Sequence, residues 1–414
     1  MDPNVTRHEE MREPVNIGDE GRKVLVFTNG CSECRNEAAR VEDFFQANGW
    51  RTATDFGNAD LIVLQGCGVV QPRASQTLDI VKWLRQQYPE KEILVWGCIS
   101  VIDPEGLKKL YDGPTFGPQH MENFNQYAEK TRIDEICSNR MIEHVNSKIR
   151  SGQKPSIRHY APRGTALVSD SCNAWCVQAA TGCRGACTFC RIRESRGPLR
   201  SKPIDRIVAE FHAGLERGYD RFVLLGTDLG CYGMDCGASL VELLRAIAAI
   251  ESEFRVWIRH LNPRYMVNYL DELTGQLLSR IDIIELSAQS GSDDVLAAMN
   301  RGYTSSDFLH IVSRIRALKP KMAIKGQFMV GFPTETEEDF QRTVDLIRDS
   351  SIDFSLVFRY SPSPDRTLKS PLPSNVVNRR TRRLKLLVFR RVLVYAGKCL
   401  LGRRDRLWLV DGVF

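Results

Sequence analysis

Residues 182–190 read GCRGACTFC, and the chain on either side is organised around them. Cys183, Cys187 and Cys190 stand at the spacing Cys-x3-Cys-x2-Cys behind a strand-like run. Thiolates are the soft donors that hold iron–sulfur clusters, and a cubane gripped at only three irons keeps the fourth open to an external ligand. A structural zinc would ask for four ligands in paired Cys-x2-Cys steps; no second pair stands at the expected distance, which leaves zinc as the lesser alternative.

Downstream, strand-like runs alternate with amphipathic stretches. Candidate strands are Ala166–Val168, Arg221–Leu225, Arg255–Arg259, Ile283–Ser287, Ala323–Val330 and Phe354–Arg359. Between them lie helices such as Asp205–Arg217, where Ile204, Ile207, Val208, Phe211 and Leu215 recur at helical spacing and Gly218 supplies a C-terminal cap. Six such units predict an incomplete barrel. Upstream, Val24–Phe27, Leu61–Leu64 and Ile93–Trp96 alternate with helical segments, among them Ser75–Tyr88, as in a doubly wound parallel sheet. A cysteine follows each of these strands: Cys31, Cys67 and Cys98. Ligands of open parallel sheets gather beyond the carboxyl ends of the strands, so these three are expected to converge.

The expected fold is therefore α/β: an N-terminal doubly wound parallel-sheet domain over 22–150, then a partial (β/α)6 TIM-type barrel over 160–400. A disordered leader (1–21) and a short tail (401–414) flank them, and the domain boundary falls in the aperiodic segment Ser138–Arg163.

Composition agrees with a globular protein: 43% hydrophobic and 26% charged residues over 414 positions. No apolar run approaches about eighteen residues, and the first twenty positions are polar and acidic, which argues against a membrane span or a secretory signal and for the cytoplasm. In that reducing compartment the 13 cysteines are free for metals and catalysis. Of the net charge of +6, the segment Tyr360–Phe414 carries more than all, with 13 Lys and Arg against 3 Asp and Glu. Such a tail suits phosphate binding. It equally suits an amphipathic helix closing the barrel with Leu384, Leu386, Leu387, Val388, Val392 and Leu393 inward.

Beyond local chemistry, GCRGACTFCRIRESRGPLRSKP (182–203), LLGTDLGCYG (224–233), SAQSGSDDVLAAMNRGYT (287–304) and VGFPTETEEDF (330–340) resemble, in order and spacing, the radical S-adenosylmethionine methylthiotransferases, the MiaB-, MtaB- and RimO-like enzymes. NGCSEC, LQGCGVV and VWGCIS match that family's three N-terminal cysteine positions. The resemblance implies that Cys183, Cys187 and Cys190 hold a 4Fe-4S cluster whose open iron binds S-adenosylmethionine and cleaves it to a 5′-deoxyadenosyl radical. It further implies that Cys31, Cys67 and Cys98 hold an auxiliary 4Fe-4S cluster that delivers sulfur, while a second S-adenosylmethionine supplies the methyl group.

By the same resemblance, Gln289, Ser290 and Ser292 contact the nucleoside, with a helix-capping turn as the alternative. Thr227 and Asp228 would touch the methionine end of the cofactor, and Arg196 would hold a carboxylate or phosphate unless it is a solvated loop residue. The implied acceptor is a tRNA adenosine; a peptide or natural product, or use of the auxiliary cluster for electron transfer alone, are the alternatives. Implied partners are S-adenosylmethionine, an RNA or peptide substrate and an electron donor such as flavodoxin or ferredoxin, with no membrane.

Several positions depart from the family pattern. Gln327 stands where an aspartate is usual, and the run YSPSPDRT places Ser363 and Asp365 in place of arginine and glycine. The C-terminal TRAM β-barrel is expected to be largely missing, with at most the strand Leu407–Val410 of it before Phe414. Cys34 occupies a family asparagine position, so Cys31 is taken as the ligand. Cys172, Cys176, Cys231 and Cys236 are expected as inert buried thiols, with a third metal site as the alternative, and Cys137 and Cys399 have no partners in sequence.

Overall fold

A computed structural model of the protein describes residues 21–142, 174–362 and 371–402. The first lobe is built on a parallel sheet of β1 (Lys23–Thr28), β2 (Arg51–Thr52), β3 (Leu61–Gln65), β4 (Glu92–Trp96) and β5 (Thr115–Phe116), in the order β2-β1-β3-β4-β5. Its strands read as unbroken apolar runs because both faces are covered. The pleat sorts them into two cores: Leu25, Phe27, Ile62, Leu64, Ile93 and Val95 on one side, Val24, Val26, Leu61, Val63, Leu94 and Trp96 on the other. The helices of this lobe are α1 (Ser32–Ala47), α2 (Gln71–Gln87), α3 (Cys98–Ile102) and α4 (Pro104–Lys108).

The second lobe is a six-stranded parallel sheet, β6 (Trp175–Gln178), β9 (Arg221–Leu225), β10 (Arg255–Leu261), β11 (Ile281–Gln289), β12 (Ala323–Val330) and β13 (Phe354–Arg359), each paired with the next in chain order. A small antiparallel pair, β7 (Ala180–Thr181) with β8 (Arg200–Ser201), brackets the cysteine loop. The helices are α5 (Ile192–Arg196), α6 (Ile204–Glu216), α7 (Leu240–Ala248), α8 (Pro263–Tyr269), α9 (Asp293–Ala298), α10 (Ser305–Leu318), α11 (Glu337–Asp349) and α12 (Ser374–Leu400). Phe211 of α6 and Leu243 of α7 pack on the strand face carrying Phe222, Leu224, Val256 and Ile258. The opposite, inner face carries Val223, Leu225, Trp257, Ile283 and Ala323. The expected partial (β/α)6 barrel is thus present.

Two expectations are corrected. The strand paired with β9 is Trp175–Gln178, where Cys176 lies in register with Val223; Ala166–Val168, like Cys172, Ser363, Asp365 and Leu407–Val410, lies outside the described residues. Trp175 and Val177 bring to this strand the aromatic and β-branched side chains that strands favour. In α12, Leu384, Val388 and Tyr395 share the buried face at helical spacing, whereas Leu386 and Leu393 are 64% and 57% exposed. Each follows Leu384 or its heptad equivalent by two positions, about 200° around the helix, so neither can share its face.

Much of the basic charge of α12 is used internally. Arg380 is buried against Glu335 and Glu337. Arg391 donates to the carbonyls of Arg348, Ser350 and Ile352 at the carboxyl end of α11, where cations are favoured. Among the described residues no helix is long and apolar enough to cross a membrane.

The first turns of α1 are unusual for their buried polarity: Ser32, Glu33, Cys34, Arg35, Asn36 and Glu37 are all inaccessible. Ser32 Oγ has no hydrogen-bond partner, whereas the longer polar side chains find theirs in the segment leading out of the lobe and in the barrel. Asn36 donates to the carbonyls of Ser138 and Arg140 at 2.8 Å, and Arg35 to that of Ile142 at 2.8 Å. Asn139 in turn exchanges hydrogen bonds with the backbone of Cys176 in β6. Residues 138–142 therefore join the lobes through hydrogen bonds, although their composition reads as linker.

Candidate active site and metal centres

Cys31, Cys67 and Cys98 follow the carboxyl ends of the parallel strands β1, β3 and β4, and Cys183, Cys187 and Cys190 lie on the loop that follows β7. In the barrel, the loop leaves β7 through Gly182 at φ +71°, where a Cβ would stand 2.0 Å from the Pro198 carbonyl oxygen. Glycine is required there by conformation and by space. We expect Gly182→Ala to displace the loop and lower bound iron by about half, read as iron per chain.

Within the loop, the Gly185 N–H donates to Cys183 Sγ at 3.1 Å, and a Cβ on Gly185 would lie 3.2 Å from Cys183 Sγ and 3.9 Å from Cys187 Sγ. The Cys190 N–H closes a turn onto the Cys187 carbonyl. Arg301 donates to Cys187 Sγ at 3.2 Å and to the Ser287 carbonyl at 2.6 Å, tying the loop to β11. Burial pushes the Cys190 thiol up to about 11, and hydrogen bonding to Cys231 with burial raises Cys183. Bare thiols are thus favoured until a cation arrives, and coordination deprotonates them outright. Three converging sulfurs, a backbone N–H and a guanidinium fit an anionic iron–sulfur cluster.

The structure adds a neighbour treated as inert in the sequence. Cys183, Asp228 and Cys231 bring their ligand atoms within 4.8 Å of one another. Asp228 follows β9, accepts from the Gly230 and Asn262 N–H groups at 3.0 and 3.1 Å, and stands 3.6 Å from Cys183 Sγ. Burial raises its carboxyl, against the pull of Arg301. The position of Cys231 could not be read from spacing, because a 3-10 turn at 229–231 folds it back under Asp228.

In the N-terminal lobe, loops after β1, β3 and β4 meet. The Cys67 N–H donates to Asn29 Oδ1 at 2.9 Å, and its carbonyl accepts from Thr77 Oγ1 at 2.8 Å. Gly68 lets this loop stack on the start of α3: a Cβ would stand 2.8 Å from Ile99 Cα and 3.0 Å from the Cys98 carbonyl oxygen. Cys67 and Cys98 are buried, whereas Cys31 is exposed at the N-cap of α1. Cys34 is buried with its Sγ 3.7 Å from that of Cys31.

The other expected site residues divide. Gln289 ends β11 with φ +72°, is buried, and its Oε1 has no hydrogen-bond partner. Ser290 and Ser292 are engaged with α11: Ser290 Oγ meets Thr343 Oγ1 at 3.2 Å, and Ser292 Oγ donates to Asp339 Oδ1 at 2.5 Å. Ser292 is the N-cap residue of α9, yet its hydroxyl makes no capping bond. Thr227 donates to Glu33 Oε2 at 3.0 Å. Arg196 is buried, clasps both carboxylate oxygens of Glu37, lies 3.6 Å from Glu33, and donates to Cys34 Sγ at 3.3 Å. Thr227 and Arg196 thus face the N-terminal lobe, and Arg196 is no solvated loop residue.

Comparison with known proteins now bears on this arrangement. Residues 177–347 match the radical SAM superfamily, and residues 23–115 match uncharacterized protein family UPF0004. A probable threonylcarbamoyladenosine tRNA methylthiotransferase of Pyrococcus abyssi is 30% identical over 366 residues, covering 87% of this chain and 83% of the relative. The tRNA-2-methylthio-N(6)-dimethylallyladenosine synthase of Bordetella parapertussis is 30% identical over 407 residues, covering 94% and 82%. The chain belongs to the radical SAM methylthiotransferase family. Among solved structures, the radical S-adenosylmethionine methyltransferase TsrM of Kitasatospora setae superposes with a TM-score of 0.55 at 12% identity, over 82% of this chain and 72% of that one, a likeness of fold. As a radical SAM methylthiotransferase, this enzyme uses S-adenosylmethionine and 4Fe-4S clusters.

Within the methylthiotransferase barrel, the inner face holds a buried polar network. Glu285 lies 3.2 Å from Lys325 and 3.6 Å from both Arg259 and His260. Burial alone would raise the Glu285 carboxyl, but Lys325, Arg259 and His260 outweigh it and hold it at about 2. Gln327 accepts from Ser287 Oγ at 3.2 Å, which orients its amide nitrogen toward Glu285 and, at 3.2 Å, toward His260 Nδ1. An amide in the place of an aspartate thus asks His260 to accept, and so to be neutral. Burial lowers this imidazole to about 4. Arg259 keeps Nε and Nη1 without hydrogen-bond partners.

A pH dependence follows. His260 titrates near 6.5 when unfolded and near 4 when folded, so its contribution is complete above pH 6.5 and is lost as pH falls toward 4. The loss is up to about 3 kcal/mol at about 1.4 kcal/mol per unit. His260→Asn, which tolerates the positive φ at this position, should flatten the stability profile in that window, measured by denaturant titration at several pH values. An unchanged profile would show that His260 is not the group responsible.

Proposed function

We propose that this enzyme installs a methylthio group at an unactivated C–H bond of a tRNA adenosine. The observation that carries the acceptor is the extent of the likeness: the chain aligns with more than four-fifths of the length of relatives named for tRNA methylthiolation. Cys183, Cys187 and Cys190 hold the cluster that opens S-adenosylmethionine, and Cys31, Cys67 and Cys98 hold the auxiliary cluster. When bound, these groups supply the electron, the radical and the sulfur.

The chain's own residues bind, orient and enclose. Gln289, the last residue of β11, keeps a buried side-chain oxygen without a partner, an acceptor suited to a ribose hydroxyl or an ammonium group. Arg301 fixes Cys187 against β11, and Asp228 braces Cys183 from the other side. Arg196 and Thr227 align the two lobes through Glu37 and Glu33, so the sulfur source and the reacting carbon share one frame.

Nucleoside mass spectrometry of tRNA from a strain lacking the gene tests the acceptor. We expect one methylthioadenosine species to disappear and to return on complementation. An unchanged nucleoside profile, with a methylthio product found on a peptide instead, would overturn the tRNA reading while leaving the chemistry intact.

A further inference from the structure

The N-terminal lobe brings together four thiols where the family reading needs three. We propose that Cys34 is a fourth thiolate ligand of the auxiliary cluster, so that Cys31, Cys34, Cys67 and Cys98 close it on all four irons. This inference rests on the reading of Cys31, Cys67 and Cys98 as the auxiliary site.

The surroundings of Cys34 are those of a ligand. An inert buried thiol sits among hydrocarbon groups. Cys34 instead has Cys31 Sγ at 3.7 Å, a hydrogen-bonding partner in Cys98, and the Arg196 guanidinium at 3.3 Å. The guanidinium places a buried cation beside a sulfur that would carry negative charge once coordinated, at the start of a 16-residue helix. Its place in the helix matters too. Cys31 is the N-cap and Cys34 the third helical residue, the two positions whose side chains face each other at a helix start. Cys31 and Cys34 also repeat the Cys-x2-Cys step of Cys187 and Cys190, by which one short loop offers two sulfurs to a single cubane. The preceding loop is pressed onto the site, since a Cβ on Gly30 would lie 2.4 Å from Cys34 Cβ.

Four protein thiolates leave no iron open at rest. The exposed ligand, Cys31, is then the one that an entering sulfur species reaches first.

The test uses full-length protein carrying Cys183→Ala, Cys187→Ala and Cys190→Ala, so that only the auxiliary cluster assembles. After anaerobic reconstitution we expect about four irons per chain and a reduced-cluster EPR signal that added methaneselenolate does not shift. In that background Cys34→Ser should keep its iron yet give a signal that methaneselenolate does shift. Cys31→Ser, which leaves the contacts of Cys34 with Arg196 and Cys98 in place, should behave in the same way and decides the matter if Cys34→Ser fails to fold. A selenolate response in the parent equal to that of the serine variants would overturn the fourth ligand and leave the auxiliary site standing. Absence of iron in the parent, before Cys34 is touched, would overturn the auxiliary site itself.

Discussion

Replacing Cys31, Cys67 and Cys98 together by alanine is expected to cut the iron content of reconstituted enzyme from about eight to about four per chain, since each cluster carries four. Methylthio transfer should fall below detection, while S-adenosylmethionine is still cleaved to 5′-deoxyadenosine. The separation is a consequence of the fold. The loop of Cys183, Cys187 and Cys190 is braced by Gly185, Arg301 and Asp228, all of them barrel residues. The N-terminal sulfurs instead sit on loops of the other sheet, around Asn29, Thr77 and α3. Removing the second set therefore leaves the first intact. The reciprocal triple alanine variant of the barrel loop should also keep about four irons, but should produce no 5′-deoxyadenosine. Full iron retention in the N-terminal variant would refute the auxiliary site. Loss of cofactor cleavage along with transfer would show that the lobes do not hold their clusters independently.

The second large effect is expected at Arg196. Arg196→Met keeps the length of the side chain and removes its charge, leaving Glu33 and Glu37 buried beside each other without their common partner. Burial already lifts the Glu33 carboxyl above its usual range against the pull of Arg196. Arg196 itself is held charged by Glu37 and Glu33 despite burial that works the other way. Stranding one side of such a cluster costs about 3–5 kcal/mol, whereas replacing all its members by apolar groups is often nearly neutral. We expect a large fall in the denaturant midpoint of Arg196→Met, partly restored by adding Glu37→Gln. Because the cluster spans the seam, cleavage and transfer should also uncouple, with more 5′-deoxyadenosine formed per methylthio product. A midpoint equal to that of the parent would mean that the seam is held elsewhere.

The residues differ in how openly they declare themselves. Strand runs such as Leu61–Gln65 and Ala323–Val330 are apolar throughout because both faces of a parallel sheet are covered, and a run of that kind is visible without coordinates. The cysteine spacing at 183–190 is local, and so are the cysteines after three successive strands. Cys231 and Cys34 are a different case. Each is an ordinary thiol until a 3-10 turn or the first turn of α1 carries it against another sulfur. Arg196 has the composition of a surface residue, and only the approach of α1 makes it buried. The inward and outward sides of α12 were likewise open, since its apolar residues exceed one face and the neighbouring elements choose which of them are covered.

From the amino-acid sequence alone came the layered α/β order, the two groups of cysteines and the family they point to, because hydrophobic period and ligand spacing are properties of neighbours along the chain. Only the tertiary structure decided which thiols meet, that Gln289 keeps a side-chain oxygen without a partner while the hydroxyls of Ser290 and Ser292 are engaged by α11, and that Arg196 binds the lobes together. Those outcomes depend on contacts between residues far apart in sequence, as with Arg196 and Glu37, 159 positions apart, whose pairing is set by packing of the two sheets.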